Sequence, residues 1–142
     1  MKEENVMIEN AGSLWLSDGS TYPLQLGHNL VGRLSGIYKS DIGINTGDVF
    51  MSRQHFIIEV VLNKRGCCEY IVSDNKSKNG TSIIFAANNT KKVLKSNDKV
   101  YLKNGDIIVA GKTIIKLRTV NQRIGEVQDT TDDSSGTTQI GG

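Results

Sequence analysis

Ser52-Arg53-Gln54-His55 runs directly into Phe56-Ile57-Ile58-Glu59-Val60-Val61-Leu62. After Asn63-Lys64-Arg65-Gly66 the chain returns through Tyr70-Ile71-Val72 to Asp74-Asn75-Lys76-Ser77-Lys78-Asn79-Gly80-Thr81. The two apolar runs are rich in β-branched and aromatic residues, which fit a pleated, half-buried surface. Between them, Asn63 to Gly66 supplies residues that tolerate a tight reversal. This stretch therefore predicts a hairpin of two strands with a polar loop at each open end.

Outward from this hairpin the same pattern repeats. Strand character recurs at Val6-Met7-Ile8, Leu14-Trp15-Leu16, Asn29-Leu30-Val31, Ser82 to Phe85, Lys99 to Leu102, Ile107-Ile108-Val109 and Thr113 to Leu117. Turn residues divide these runs at Ser17-Asp18-Gly19-Ser20, Asn88-Asn89 and Asn104-Gly105. No window of about 11 residues carries a sustained helical stripe. Short strands with polar turns roughly every ten residues predict an all-β sandwich or barrel, and periodicity does not choose between the two. From Glu126 onward the residues are Gln, Asp, Thr, Ser and Gly, with only Val127 and Ile140 apolar. Such a segment buries too little surface to offset its ordering entropy, so residues 1–125 are expected to fold and residues 126–142 to form a disordered tail.

The 142 residues suit one domain, with a core large enough to need no covalent staples. The two cysteines, Cys67 and Cys68, are adjacent. Neighbours on a strand point to opposite faces, so both are read as reduced thiols. His28 and His55 have no further soft ligands at metal-binding spacing, and no metal or other cofactor is expected. No apolar run approaches the length that spans a bilayer, and the mixed, acidic first ten residues are unlike a signal peptide, so the expected compartment is the cytoplasm. The net charge of +2 conceals an uneven distribution. Four of the 15 acids follow residue 125 and no base does, so residues 1–125 carry 17 bases against 11 acids, an excess of six. Such a body suits an anionic partner or merely a solvated surface. Lys91, Lys92 and Lys95 form a small basic run, but no aromatic interleaves it, and it reads as a solvated hairpin rather than a nucleic-acid site.

Three polar motifs stand far apart against strand-like runs: Gly32-Arg33, Ser52-Arg53-Gln54-His55 and Ser77-Lys78-Asn79-Gly80-Thr81. Their order and spacing resemble the forkhead-associated (FHA) domain, a phosphothreonine-reading module. The resemblance covers roughly residues 12 to 118 and takes in the Asn104-Gly105-Asp106-Ile107 turn before the last hairpin. It implies a sandwich of two antiparallel sheets of the FHA and SMAD kind, with about eleven strands. It also implies a phosphopeptide site formed by Arg33, Ser52, Arg53, Lys78 and Asn79, supported by Gly32, His55, Gly80 and Thr81.

The residue types suit that chemistry. A phosphothreonine carries a charge of about −1.5 to −2 and three strong acceptor oxygens, so its receptor needs clustered donors. Arg33 offers a planar, permanently charged fork, and Gly32 before it is expected to let the backbone turn and present that fork. Ser52 offers a hydroxyl, Arg53 its amide and guanidinium, and Lys78 an ammonium. The amide of Asn79 both donates and accepts, which suits pairing with a peptide backbone. Gly80 permits a positive φ before a strand resumes at Thr81. The resemblance makes His55 a buried strut for Ser52; a hydrolase would need a third group to orient that histidine, and the sequence supplies none, so no enzyme is expected.

The expected role is therefore a signalling module that docks phosphothreonine proteins downstream of a Ser/Thr kinase, without nucleic-acid or membrane contact. The alternative is a phosphate-independent structural or self-association module of the same fold. Phe50 suggests an apolar and Arg53 an acidic preference in the peptide beyond the phosphothreonine. Thr130, Thr131, Thr137 and Thr138 add the option that the chain's own phosphorylated tail is bound in trans by another copy.

Overall fold

A computed structural model describes residues 10–120. Among them eleven strands form: β1 (Ser13–Leu16), β2 (Thr21–Pro23), β3 (Gly27–Arg33), β4 (Ile42–Ile44), β5 (Phe56–Leu62), β6 (Cys68–Asp74), β7 (Thr81–Ile84), β8 (Lys91–Val93), β9 (Val100–Leu102), β10 (Ile107–Ala110) and β11 (Thr113–Arg118). They build two sheets, one ordered β2-β1-β11-β10-β7-β8 and the other β4-β3-β5-β6-β9. The architecture is a sandwich, which resolves the choice that periodicity left open. One pairing departs from the expected antiparallel arrangement: β4 runs parallel to β3, with Gly32 opposite Gly43. The long connection over residues 34–41 lets the chain return in the same direction, as parallel neighbours require. The segment Val6-Met7-Ile8 and the tail over 126–142 lie outside the described residues.

Strict alternation sets which face each strand buries. In β5, Phe56, Ile58 and Val60 point inward while Ile57, Glu59 and Val61 point out. Opposite them, Tyr70 and Val72 of β6 join Ile83, Ile108, Ile115 and Leu117 from the other sheet in one core. Each large aliphatic or aromatic side chain removed from water contributes about 1.5–3 kcal/mol, and slipping any register by one residue would turn the whole set toward solvent.

Strand directions give the sandwich two distinct ends. At one end meet the last residue of β3, the loop preceding β5, the β6–β7 loop and the β10–β11 turn. Both ends of the described chain lie at the other, where Ser13 of β1 pairs with Arg118 of β11. There the Tyr70 hydroxyl donates to the Ala11 carbonyl at 2.8 Å and accepts from Val120 N–H at 3.3 Å. Burial raises the phenol of Tyr70 to about 12, so it stays a neutral clasp. Asp106, also buried, accepts from the backbone of Ala86 and Lys103 and so holds the turns of this end together.

Candidate functional site

The strand directions bring the three sequence motifs to one end. Arg33 closes β3, Ser52 and Arg53 sit in the loop before β5, and Lys78 and Asn79 sit in the loop between β6 and β7. All five line a single cleft of about 370 Å³, together with Val49 and Met51.

Backbone contacts lock the first two motifs together. Arg33 N–H donates to the Ser52 carbonyl at 3.0 Å, and His55 N–H donates to the Val31 carbonyl at 2.8 Å. Gly32 lies within β3, one residue before its end, rather than at a turn, which corrects the expected reason for it. A Cβ on Gly32 would lie 2.0 Å from the Arg53 carbonyl oxygen, so only glycine lets the loop backbone cross the strand this closely. The Arg33 guanidinium is pinned from behind, its Nε donating to the Met51 carbonyl at 2.9 Å. Among the described residues neither terminal nitrogen of Arg33 has a partner, and no carboxylate pairs with Arg33, Arg53 or Lys78.

His55 is fully buried and ties the second loop to the third. Its Nδ1 accepts from Ser52 N–H at 2.8 Å, and its Nε2 meets the Gly80 carbonyl at 2.8 Å. An atom that accepts from an N–H carries no proton, and a carbonyl only accepts. The ring is therefore the neutral Nε2–H tautomer, donating to Gly80. With both nitrogens engaged by backbone, this histidine has no free atom to act on a substrate.

The third loop folds around a carboxylate. Asp74 Oδ1 accepts from the hydroxyls of Ser77 at 2.5 Å and Thr81 at 2.6 Å, and Oδ2 accepts from Ser77 N–H. Burial pushes the Asp74 carboxyl upward, yet the donors from Ser77 and Thr81 outweigh it and hold the group below the usual carboxylate value. Gly80 takes φ +85°, and β7 resumes at Thr81. The loop then reaches across the cleft twice. Lys78 N–H donates to Ser52 Oγ at 3.2 Å, and Asn79 Nδ2 donates to the Phe50 carbonyl at 2.9 Å. Because Ser52 Oγ accepts from Lys78, its own hydrogen is left for an acceptor in the cleft.

Two side chains at the rim are engaged sideways. The Arg53 guanidinium lies 4.2 Å from the ring centroid of Tyr38, and Lys112 Nζ lies 4.5 Å from that of Phe50. Asp48, which sequence reading passed over, anchors the Phe50 side. It accepts from Phe50 N–H, Lys112 N–H and the Thr113 hydroxyl, and these donors overcome burial to lower its pKa. Gly111 makes this possible, since a Cβ there would meet the Phe50 carbonyl carbon at 2.5 Å. Of the missed residues, Asp74 had a local signal, a carboxylate three residues before a serine at a turn. Asp48 had a weaker one, since only its bond from Phe50 N–H is local and its partners Lys112 and Thr113 lie more than sixty residues away.

Fold and cleft define the class: a two-sheet β-sandwich whose end loops build a cationic cleft. The sequence profile of the FHA domain matches residues 29–111, more than half of the chain, and the chain belongs to that family. Among solved structures, one from a study of phosphothreonine-dependent FHA domain interactions is 26% identical, with a TM-score of 0.58 over 80% of this chain and 100% of that one. The FhaA FHA domain, solved with the intracellular domain of Rv3910, is 27% identical, with a TM-score of 0.55 over 76% of this chain and 100% of that one. The FHA domain of an Arabidopsis thaliana hypothetical protein shares the fold at 23% identity, with a TM-score of 0.60 over 96% of this chain and 100% of that one. No curated protein matches the chain. No helix among the described residues is long and apolar enough to cross a membrane.

Proposed function

We propose that the cleft binds phosphothreonine segments of partner proteins, with Arg33, Ser52 and Lys78 facing the phosphate and Asn79 facing the peptide backbone. One observation carries this reading: cationic and neutral donors from three distant loops converge on one cleft, and no carboxylate of the described residues neutralises them. A doubly charged phosphate gains most where its oxygens replace water at unpaired donors. Family membership supports the same reading, as does the likeness to a domain studied for phosphothreonine-dependent interactions. Arg53 contributes its backbone amide, its guanidinium being held over Tyr38.

Three or four charge-assisted hydrogen bonds give about 5 to 12 kcal/mol gross. Association and peptide ordering remove several of these, which leaves micromolar affinity, about −8 kcal/mol. Binding of this strength is reversible and suits docking downstream of a Ser/Thr kinase. The engaged nitrogens of His55 favour a binder over an enzyme. Tail threonines, once phosphorylated, would be ligands for the cleft of another copy on the same chemistry.

The test is titration of a degenerate phosphothreonine peptide pool against its unphosphorylated twin, read by calorimetry. Micromolar binding of the phosphorylated pool alone is expected. Equal binding of both pools would defeat the reading.

A further inference from the structure

Both rims of the cleft lay a cation on an aromatic ring, but only one of those cations lacks a neighbouring acid. On one rim Lys112 Nζ stands over Phe50, and the Lys112 N–H and Thr113 hydroxyl both donate to Asp48, which sets a carboxylate beside that lysine. On the other rim the exposed Arg53 guanidinium stands over Tyr38 at 4.2 Å. Among the described residues no carboxylate pairs with Arg53 or with Lys39 beside Tyr38. Asp41, the acid nearest Tyr38 in the chain, instead accepts from Leu30 N–H at 2.8 Å.

The Arg53 side chain is ordered without being used up. Tyr38 N–H donates to Ser35 Oγ at 3.2 Å, and Gln54 Nε2 donates to the Lys39 carbonyl at 2.9 Å, so the loop carrying the ring is tied to the residue next to Arg53. Stacking restrains the guanidinium through its face. Its N–H groups still point sideways in their own plane, an edge that matches the two oxygens of a carboxylate. No hydrogen bond among the described residues occupies that edge. A side chain ordered before its ligand arrives loses less entropy on pairing.

On the phosphothreonine reading of the cleft, we infer that the Arg53 guanidinium, positioned by Tyr38, seats an acidic side chain flanking the phosphothreonine, so that the cleft selects phosphothreonines in acidic segments. Arg33 and Arg53 line one cleft of about 370 Å³, which would be about 9 Å across if round and places the acid within about two or three extended residues of the phosphothreonine. Phe50 is left to the other rim. The chain's own tail contains one such segment: Thr130 and Thr131 stand between Asp129 and Asp132-Asp133, whereas Thr137 and Thr138 have no acid within three residues.

The test is calorimetry on the full chain with two degenerate phosphothreonine pools. One carries Asp and Glu at the three positions on each side of the phosphothreonine, and the other carries Asn and Gln there. Wild type should bind the acidic pool about fivefold more tightly at about 0.1 M salt, and that ratio should shrink at about 1 M. Arg53→Gln keeps the backbone amide and should bring the ratio to about one, whatever its absolute affinity. Arg53→Lys, which keeps the charge and loses the fork, should fall between. Tyr38→Leu should lower the ratio to about twofold while leaving affinity for the neutral pool parental, because the charge remains and only its aim is lost. Lys112→Gln removes an equal charge from the opposite rim and should leave the ratio parental. All variants are compared below their measured melting temperatures.

A wild type that binds the neutral pool as tightly as the acidic one, or more tightly, would overturn the inference and leave the phosphothreonine reading standing. Failure of every phosphorylated pool to bind would defeat that reading and the inference with it. A preference that survives Arg53→Gln would put the acid on another group. One that falls as far in Lys112→Gln would belong to the general field of the loops, and either result would overturn the seat at Arg53. An undiminished ratio in Tyr38→Leu would overturn the positioning role of the ring.

Discussion

The two ends of the sandwich use the same device for different ends. Away from the cleft, Asp106 holds the β7–β8 and β9–β10 turns through backbone N–H groups and nothing more. At the cleft, Asp74 and Asp48 hold their loops through serine and threonine hydroxyls and backbone N–H groups. In both places a carboxylate is satisfied by neutral donors. The consequence differs, because only the cleft end has Arg33, Arg53 and Lys78 close by. Loops fixed by neutral donors leave those cations without a carboxylate partner, so the end is ordered and still attractive to an anion. Had either carboxylate turned to a cation, the loop would be equally ordered and the cleft neutralised.

The largest expected effect separates binding from stability. Arg33→Ala removes the pinned guanidinium and should weaken phosphopeptide affinity about 100-fold or more, by calorimetry. Among the described residues the guanidinium's one hydrogen bond is to the Met51 carbonyl, so the melting temperature should move by about 2 °C at most. A variant that binds normally would remove Arg33 from the site.

His55→Ala strands the Ser52 N–H and the Gly80 carbonyl in a buried place, and should cost about 2 to 5 kcal/mol in urea unfolding, with affinity falling alongside. Parental stability would show that the histidine is not a strut.

A matched pair then sharpens the contrast between ends. Asp74→Asn and Asp106→Asn should each destabilise by about 1 to 3 kcal/mol. Only Asp74→Asn should also weaken peptide binding at a temperature where both variants are folded. Equal loss of affinity in the two would erase the distinction between the ends.

Acid supplies a smaller and graded effect. Asp74 and Asp48 have pKa values lowered in the fold, because hydroxyl and N–H donors outweigh burial. Their contribution is whole above the unfolded carboxylate value of about 3.9 and disappears as pH falls through the lower folded values. Stability measured by urea from pH 7 downward should therefore be flat to about pH 4 and decline below it, and Asp74→Asn should shallow that decline. The smallest effect is expected for Lys112→Ala. It removes an exposed contact with Phe50 worth about 0.5–1 kcal/mol, detectable as a slight loss of affinity for peptides that reach Phe50.

Much of the fold was legible because alternation and turn chemistry are local. Phe56 to Leu62 alternates in sequence and in burial, and Asn63 to Gly66 makes the turn it predicts. β2 and β4 escaped notice, being three-residue edge strands whose identity lies in their neighbours' hydrogen bonds, whereas β8 falls in the Lys91 to Lys95 stretch that reads as a solvated hairpin. The parallel pairing of β3 with β4 was equally invisible, since a sequence carries no signal for strand direction. The site residues were read from motif resemblance, and the cleft gathers all five; the reason for Gly32 was misjudged because the crossing loop begins some twenty positions away.

By itself the sequence determined the side chains offered at three loops, the alternation that makes them rims of strands, and the excess of bases over acids in residues 1–125. Tertiary structure alone decided that Arg33 would be pinned by Met51, that His55 would be the neutral Nε2–H tautomer, and that Arg53 would lean on Tyr38. The division has one physical cause. Propensity and charge belong to a residue and its immediate neighbours, whereas a proton's place on a ring or a guanidinium's aim depends on whichever distant groups packing brings within about 3 Å.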